Sequence, residues 1–137
     1  IRDRYVEGAV SLVAAIKYVE SVGYDEIRAQ ERRLVTRCLE GMKKLPFIHI
    51  IGPTNPEEKE GLVAFEVEGV HPHDVAQILS AKGICIRTGH HCAEPLHHYL
   101  GINASCRASF YFYNTVDEVD YFLKELKDVR KVMGYDD

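Results

Sequence analysis

Between positions 83 and 113, GICIRTGHHCAEPLHHYLGINASCRASFYFY, the apolar residues fall into runs too short for helices of their own. The later run, CRASFYFY, alternates. A spacing of two puts Cys106, Ala108, Phe110 and Phe112 on one face and Arg107, Ser109, Tyr111 and Tyr113 on the other, which predicts a strand over 106–113. The earlier run, over 84–87, reads as a second strand. Between them lies a loop with Gly89, His90, His91 and Cys92. Pro95 then suits the first turn of a short helix that ends at Gly101.

The rest of the chain supplies helices and two more strands. Leu12, Val13, Ile16 and Val19 recur at helical spacing over 8–22, and Gly23 closes that helix. A second helix over 25–45 turns Ile27, Leu34, Cys38, Met42 and Leu45 inward and stops at Pro46. Strands are expected at 47–51 and 62–67, with the polar loop GPTNPEEKEG between them. His71 caps a short helix that buries Val75, Ile78 and Leu79 and ends at Gly83. Thr115 with Glu118 forms a capping box for a final helix bearing Val119, Phe122, Leu123, Leu126 and Met133. The expected fold class is α+β, one domain over 1–137, its short and mainly antiparallel sheet covered by helices on one face.

A chain of 137 residues, 46% hydrophobic and 28% charged, suits one globular domain. Its net charge of −4, without a Lys/Arg block, argues against a nucleic-acid partner. No apolar run has the length to span a bilayer. The start, IRDRYVEGAV, is no signal peptide and lacks a methionine, as in a piece of a longer protein. Cys38, Cys85 and Cys106 sit in helical or apolar contexts and read as small reduced core residues. With no C-x-x-C, a reduced cytoplasmic setting is expected.

Cys92 is different. A reactive thiol needs a flexible loop and nearby groups that favour thiolate, and Gly89, Arg87, His90 and His91 supply them. Arg107, the arginine of the later apolar run, points away from the apolar face and offers a planar, permanent charge for a carboxylate. His97 and His98 are expected on the surface of their short helix.

RTGHHCAEPL (87–96) and CRASFYFYNT (106–115), together with HPHDVAQILSAKGI (71–84) and TVDEVDYFLKEL (115–126), closely resemble the C-terminal domain of the cysteine desulfurases, of the SufS type within the class V aminotransferase-like enzymes. The resemblance implies the small domain of the PLP-dependent transferase fold. It also implies an enzyme that uses pyridoxal phosphate to break the carbon–sulfur bond of L-cysteine and release alanine. Cys92 is then the nucleophile that carries the sulfur as a persulfide toward iron–sulfur cluster assembly. Arg107 grips the substrate carboxylate with Arg87 beside it, while His90, His91 and Gly89 support the loop. His73 matches a position that acts as a metal ligand in members serving a zinc-bound sulfur acceptor. A sulfur-acceptor scaffold protein and a homodimer mate are the implied partners.

The lysine that forms the Schiff base belongs to the family's large domain, and no lysine here, Lys17 and Lys82 included, has the matching His-Lys context. The chain by itself is therefore expected to be inactive. Where the family carries a Gly-Thr segment for a neighbouring subunit's phosphate group, RYVEGAV (4–10) stands without the threonine. Two alternatives stay open. One is the same fold acting on selenocysteine or cysteine sulfinate. The other is a non-catalytic metal- or partner-binding module built on His73, His90, His91 and Cys92, whose loose spacing makes no standard zinc knuckle.

Overall fold

Alternation in strand β2 (Leu62–Val67) sets the layering. Val63, Phe65 and Val67 are buried, while Leu62, Ala64 and Glu66 between them keep contact with solvent. The computed structural model describes residues 6–135, so Arg4 and Tyr5 of the RYVEGAV segment lie outside the described residues. β2 pairs antiparallel with β1 (Ile48–Ile51) on one side and β4 (Ser105–Ser109) on the other. β4 pairs antiparallel with β3 (Arg87–Gly89), which gives the sheet order β1-β2-β4-β3.

Helices cover the face that carries Val63 and Phe65. α2 (Tyr24–Met42) presents Leu34, Val35, Cys38, Leu39 and Met42 to the sheet and to α5 (Val116–Lys127), which presents Val119, Phe122 and Leu126. Phe65 meets Phe122 edge-on, ring centroids 6.2 Å apart. α3 (Pro72–Ser80) packs behind β3 and β4 with Val75 and Leu79 fully buried. Each large apolar side chain buried this way contributes about 1.5–3 kcal/mol. The opposite face, with Ala64, Glu66 and Arg107, keeps solvent contact. The expected α+β arrangement is the one found. α1 (Val6–Val22) buries no side chain, and Val10, Leu12, Val13 and Ile16 are exposed.

Several expected boundaries move, each for a local reason. β4 ends at Ser109 rather than at 113. The Phe110 amide donates to the Gly61 carbonyl at 2.6 Å, and a turn follows in which the Tyr111 amide donates to Asn114 Oδ1 at 2.9 Å. β3 runs Arg87–Gly89 and not 84–87, because the Ile84 amide is engaged with the Leu79 carbonyl at the end of α3. Residues 84–86 therefore run outside the ladder. A groove of about 310 Å³ opens between them, β4 and α5, with Cys85 on its wall. Cys85 is exposed, not a core residue, while Cys38 and Cys106 are buried. α2 stops at Met42, and Lys43 to Leu45 form tight turns before Pro46. The last helix breaks at Asp128 into α5 and a short α6 (Val129–Val132), so Met133 is exposed.

Candidate active site

The pairing of β3 with β4 sets Arg87 directly opposite Arg107, and Gly89 opposite Ser105. Cys106 and Ala108 turn into the helical layer, so Arg107 projects from the uncovered face, as its alternation predicts. Two like charges facing each other across an antiparallel pair cost about 0.2–1 kcal/mol. The Nε of Arg107 is also buried with no hydrogen-bond partner. Arg87 and Arg107, with Cys85, Ile86 and Ser109, line a shallow groove of about 260 Å³. Planar donors of one sign facing the same space, one of them unpaired, are the donor set a carboxylate requires.

Beyond Gly89 the backbone turns sharply. Gly89 itself has φ 116°, a conformation that suits a residue without Cβ. His91 (φ 53°) and Cys92 (φ 60°) then adopt left-handed conformations in succession, closed by the Ala93 amide donating to the His90 carbonyl at 2.8 Å. Left-handed backbone at a non-glycine residue stores about 1–3 kcal/mol and gathers at functional sites. The thiol on this strained turn is exposed. α4 (Glu94–Leu100) follows, with Pro95 in its first turn and Gly101 closing it in the left-handed conformation, as expected.

Two histidines fasten the turn. His91 Nε2 lies 3.1 Å from the Ser105 carbonyl oxygen, so the ring donates from Nε2 and Nδ1 keeps a lone pair. That Nδ1 is buried without a partner. Burial, more than any other influence, pushes the His91 pKa below its ordinary value; the nearby charges of Arg107, His97 and Arg87 push the same way, and the Ser105 bond opposes them. His90 is exposed, its ring edge-on to His97 at 5.5 Å.

His97 and Ser105 were not legible as site residues. His97 was expected on the surface, yet it is buried, with Nδ1 3.0 Å from the Ala93 carbonyl and Nε2 3.0 Å from Ser105 Oγ. The reason lies in α4 itself, whose apolar residues Leu96, Tyr99 and Leu100 point outward and leave the histidine inside. The i−4 spacing to Ala93, one helical turn before His97, was the available signal.

His73 stands in the first turn of α3, exposed, its ring 5.0 Å from that of His71. His71 caps that helix as expected, its Nδ1 accepting from the His73 amide at 3.2 Å. Among the described residues no group of three or more His, Cys, Asp or Glu side chains is placed to hold a metal ion.

A family model, Aminotransferase class-V, matches residues 4–122. The chain belongs to that family. A probable cysteine desulfurase of Halalkalibacterium halodurans is 42% identical over 95% of this chain and 31% of its own length. Another, of Pyrococcus abyssi, is 46% identical over 92% of this chain and 31% of its own. The apo structure of a cysteine desulfurase from Thermococcus onnurineus superposes with a TM-score of 0.89 at 44% identity, over 93% of this chain and 32% of that one. The Escherichia coli cysteine desulfurase CsdA gives 0.87 at 29% identity, over 94% and 31%. The chain thus spans about a third of the length of the curated relatives it matches.

The class V family is pyridoxal-phosphate-dependent. Among the described residues no lysine stands at the arginine groove to anchor the cofactor. Lys17 and Lys82 are exposed, and the half-buried Lys59 donates to the Ile51 carbonyl at 3.4 Å. What the described residues do offer is an arginine-lined groove with the donors a carboxylate requires and an exposed thiol at Cys92.

Proposed function

We propose that this chain is the C-terminal small domain of a pyridoxal-phosphate-dependent cysteine desulfurase, in which Cys92 takes sulfur from L-cysteine. The supporting observation is the single edge of the sheet that carries both parts. An exposed thiol on a strained turn follows directly on β3, whose Arg87 faces Arg107 across the ladder, and His91 of that turn bonds to the Ser105 carbonyl two residues before Arg107.

The cofactor, held by the remainder of the protein, supplies an electron sink that lets the substrate's carbon–sulfur bond break. This chain supplies orientation and the acceptor. Arg107 and Arg87 draw the carboxylate into their groove, which removes their mutual repulsion and fixes the direction of the substrate side chain. Cys92 Sγ forms the new sulfur–sulfur bond as the carbon–sulfur bond breaks, and that bonding pair stays with carbon. Of the two thiol hydrogens, one ends on the alanine methyl group and the other on the terminal persulfide sulfur. An exposed loop then suits delivery of that sulfur to an acceptor.

On this reading the acceptor is a scaffold protein of iron–sulfur cluster assembly, and His73 assists only where that acceptor carries zinc. The whole enzyme is cytoplasmic, a homodimer, and of the SufS type, and the isolated chain is inactive. The test uses the full-length protein. Wild type forms alanine from L-cysteine and gains one sulfur atom on the Cys92 peptide in a mass spectrum, and Cys92→Ser abolishes both. Alanine formation at the wild-type rate by Cys92→Ser, with selenocysteine or cysteine sulfinate as the better substrate, would refute the assignment of Cys92 as acceptor.

A further inference from the structure

Ser105 meets the Cys92 turn on both sides of the thiol. Before it, His91 Nε2–H donates to the Ser105 carbonyl oxygen at 3.1 Å. After it, His97 Nδ1–H donates to the Ala93 carbonyl oxygen at 3.0 Å, and His97 Nε2 lies 3.0 Å from Ser105 Oγ. A carbonyl only accepts, so the tautomer of His97 follows: the proton is on Nδ1, and Nε2 accepts from the Ser105 hydroxyl. Ser105 is 1% and His97 6% exposed, so water does not compete for these bonds. Ser105 also sits opposite Gly89, two positions from Arg107 on the same strand and the same face, about 7 Å along β4.

The turn is therefore tied to β4 on both sides of the nucleophile: before it by the His91 ring on the Ser105 backbone carbonyl, after it by His97, which holds the Ala93 carbonyl and is itself held by the Ser105 hydroxyl. We propose that Ser105 and His97 are positioning residues for sulfur transfer, clamping the Cys92 turn at a set distance from Arg107, a role that rests on the desulfurase reading above. Neither touches the reacting atoms. Loosening the clamp leaves the thiol present and the carboxylate site intact, but scatters the thiol over positions from which attack fails. Misplacement of about 1 Å costs on the order of a hundredfold in rate.

The full-length enzyme with Ser105→Ala or His97→Phe tests this. Expected is a loss of kcat of roughly tenfold or more, with KM for L-cysteine within about twofold, because the arginine site is untouched. Alkylation of Cys92 by iodoacetamide, followed on its peptide, becomes faster in both variants as the turn loosens. His97→Asn, which keeps a donor near the Nδ1 position, recovers part of kcat. Lowered melting temperature with unchanged kcat and KM would assign both residues to folding alone and overturn the proposal, and so would a Cys92 alkylation rate equal to wild type. Should His97→Phe fail to fold, Ser105→Ala gives the same readings in the same direction and smaller in size, since it frees the His97 ring and leaves the His91 bond to the Ser105 backbone carbonyl in place. Should the wild-type enzyme form no alanine from L-cysteine, the desulfurase reading fails by itself, and the alkylation rates still decide whether Ser105 and His97 hold the turn.

Discussion

Replacing Arg107 by Gln should lower activity while leaving the ligand-free protein as stable as before, or more stable. The opposite signs follow from the structure. Without substrate, Arg107 faces Arg87 across the ladder and its buried Nε has no partner. The first feature costs about 0.2–1 kcal/mol, and an unsatisfied buried donor costs about 1–3 kcal/mol. Arg107→Gln removes both the repulsion and the orphaned guanidinium. With substrate bound the balance inverts, since a charge-assisted hydrogen bond to carboxylate is worth about 1.5–3 kcal/mol. Its loss lowers kcat/KM for L-cysteine by roughly ten- to a hundredfold. Steady-state alanine formation in the full-length protein and a thermal melt of the same sample give both readings. A destabilisation above about 1 kcal/mol with kcat/KM within twofold of wild type would show that the arginine is a structural residue. Most point changes destabilise, so a variant that loses function and keeps its melting temperature is an informative outcome.

Other expectations concern the scaffold. Burial pushes the thiols of Cys38 and Cys106 up to about 12 from an ordinary 9.0. In that window the unfolded chain loses its thiol protons first, so stability present below pH 9 is lost as pH rises toward 12, by about 4 kcal/mol per thiol; denaturant melts across this range read it, and a flat profile would contradict it. The same burial leaves Cys92 and Cys85 as the thiols labelled first in the native state. Thr115→Ala removes half of the capping box, in which Thr115 Oγ1 accepts from the Glu118 amide at 3.2 Å, and should cost about 1 kcal/mol in a denaturant melt. Gly61→Ala drives a Cβ into the Phe110 carbonyl oxygen and against Glu31 and should cost about 1–3 kcal/mol, seen as a lowered melting temperature.

Local chemistry was the legible part of this chain. The capping box at Thr115, the His71 cap and Pro95 in a first turn rest on contacts a few residues apart and stand in the structure as read, and the alternation about Arg107 holds as far as Ser109, where β4 ends. Cys85 and His97 were misread because burial depends on partners that spacing does not reveal. Ile84 is held at the end of α3, which keeps the next residues off the ladder and leaves Cys85 exposed. α4 faces the site with its histidine and solvent with its leucines, against the usual sense of an amphipathic helix. Register was equally hidden. Two arginines twenty positions apart become opposite partners only through the pairing of β3 with β4.

Both halves of the site are locally unfavourable, one through opposed charge and an orphaned donor, the other through two consecutive left-handed residues. Neither would persist on an isolated hairpin, which is marginal in water even with ideal residues. They persist because β2 and β4 are fixed from behind by α2, α3 and α5, whose many buried side chains together outweigh these penalties. The layer of helices and the reactive edge are therefore separable in design: the first sets how much strain the second can carry. A core-weakening change such as Leu34→Ala, at a fully buried residue of α2, should on this account loosen the Cys92 turn without touching it.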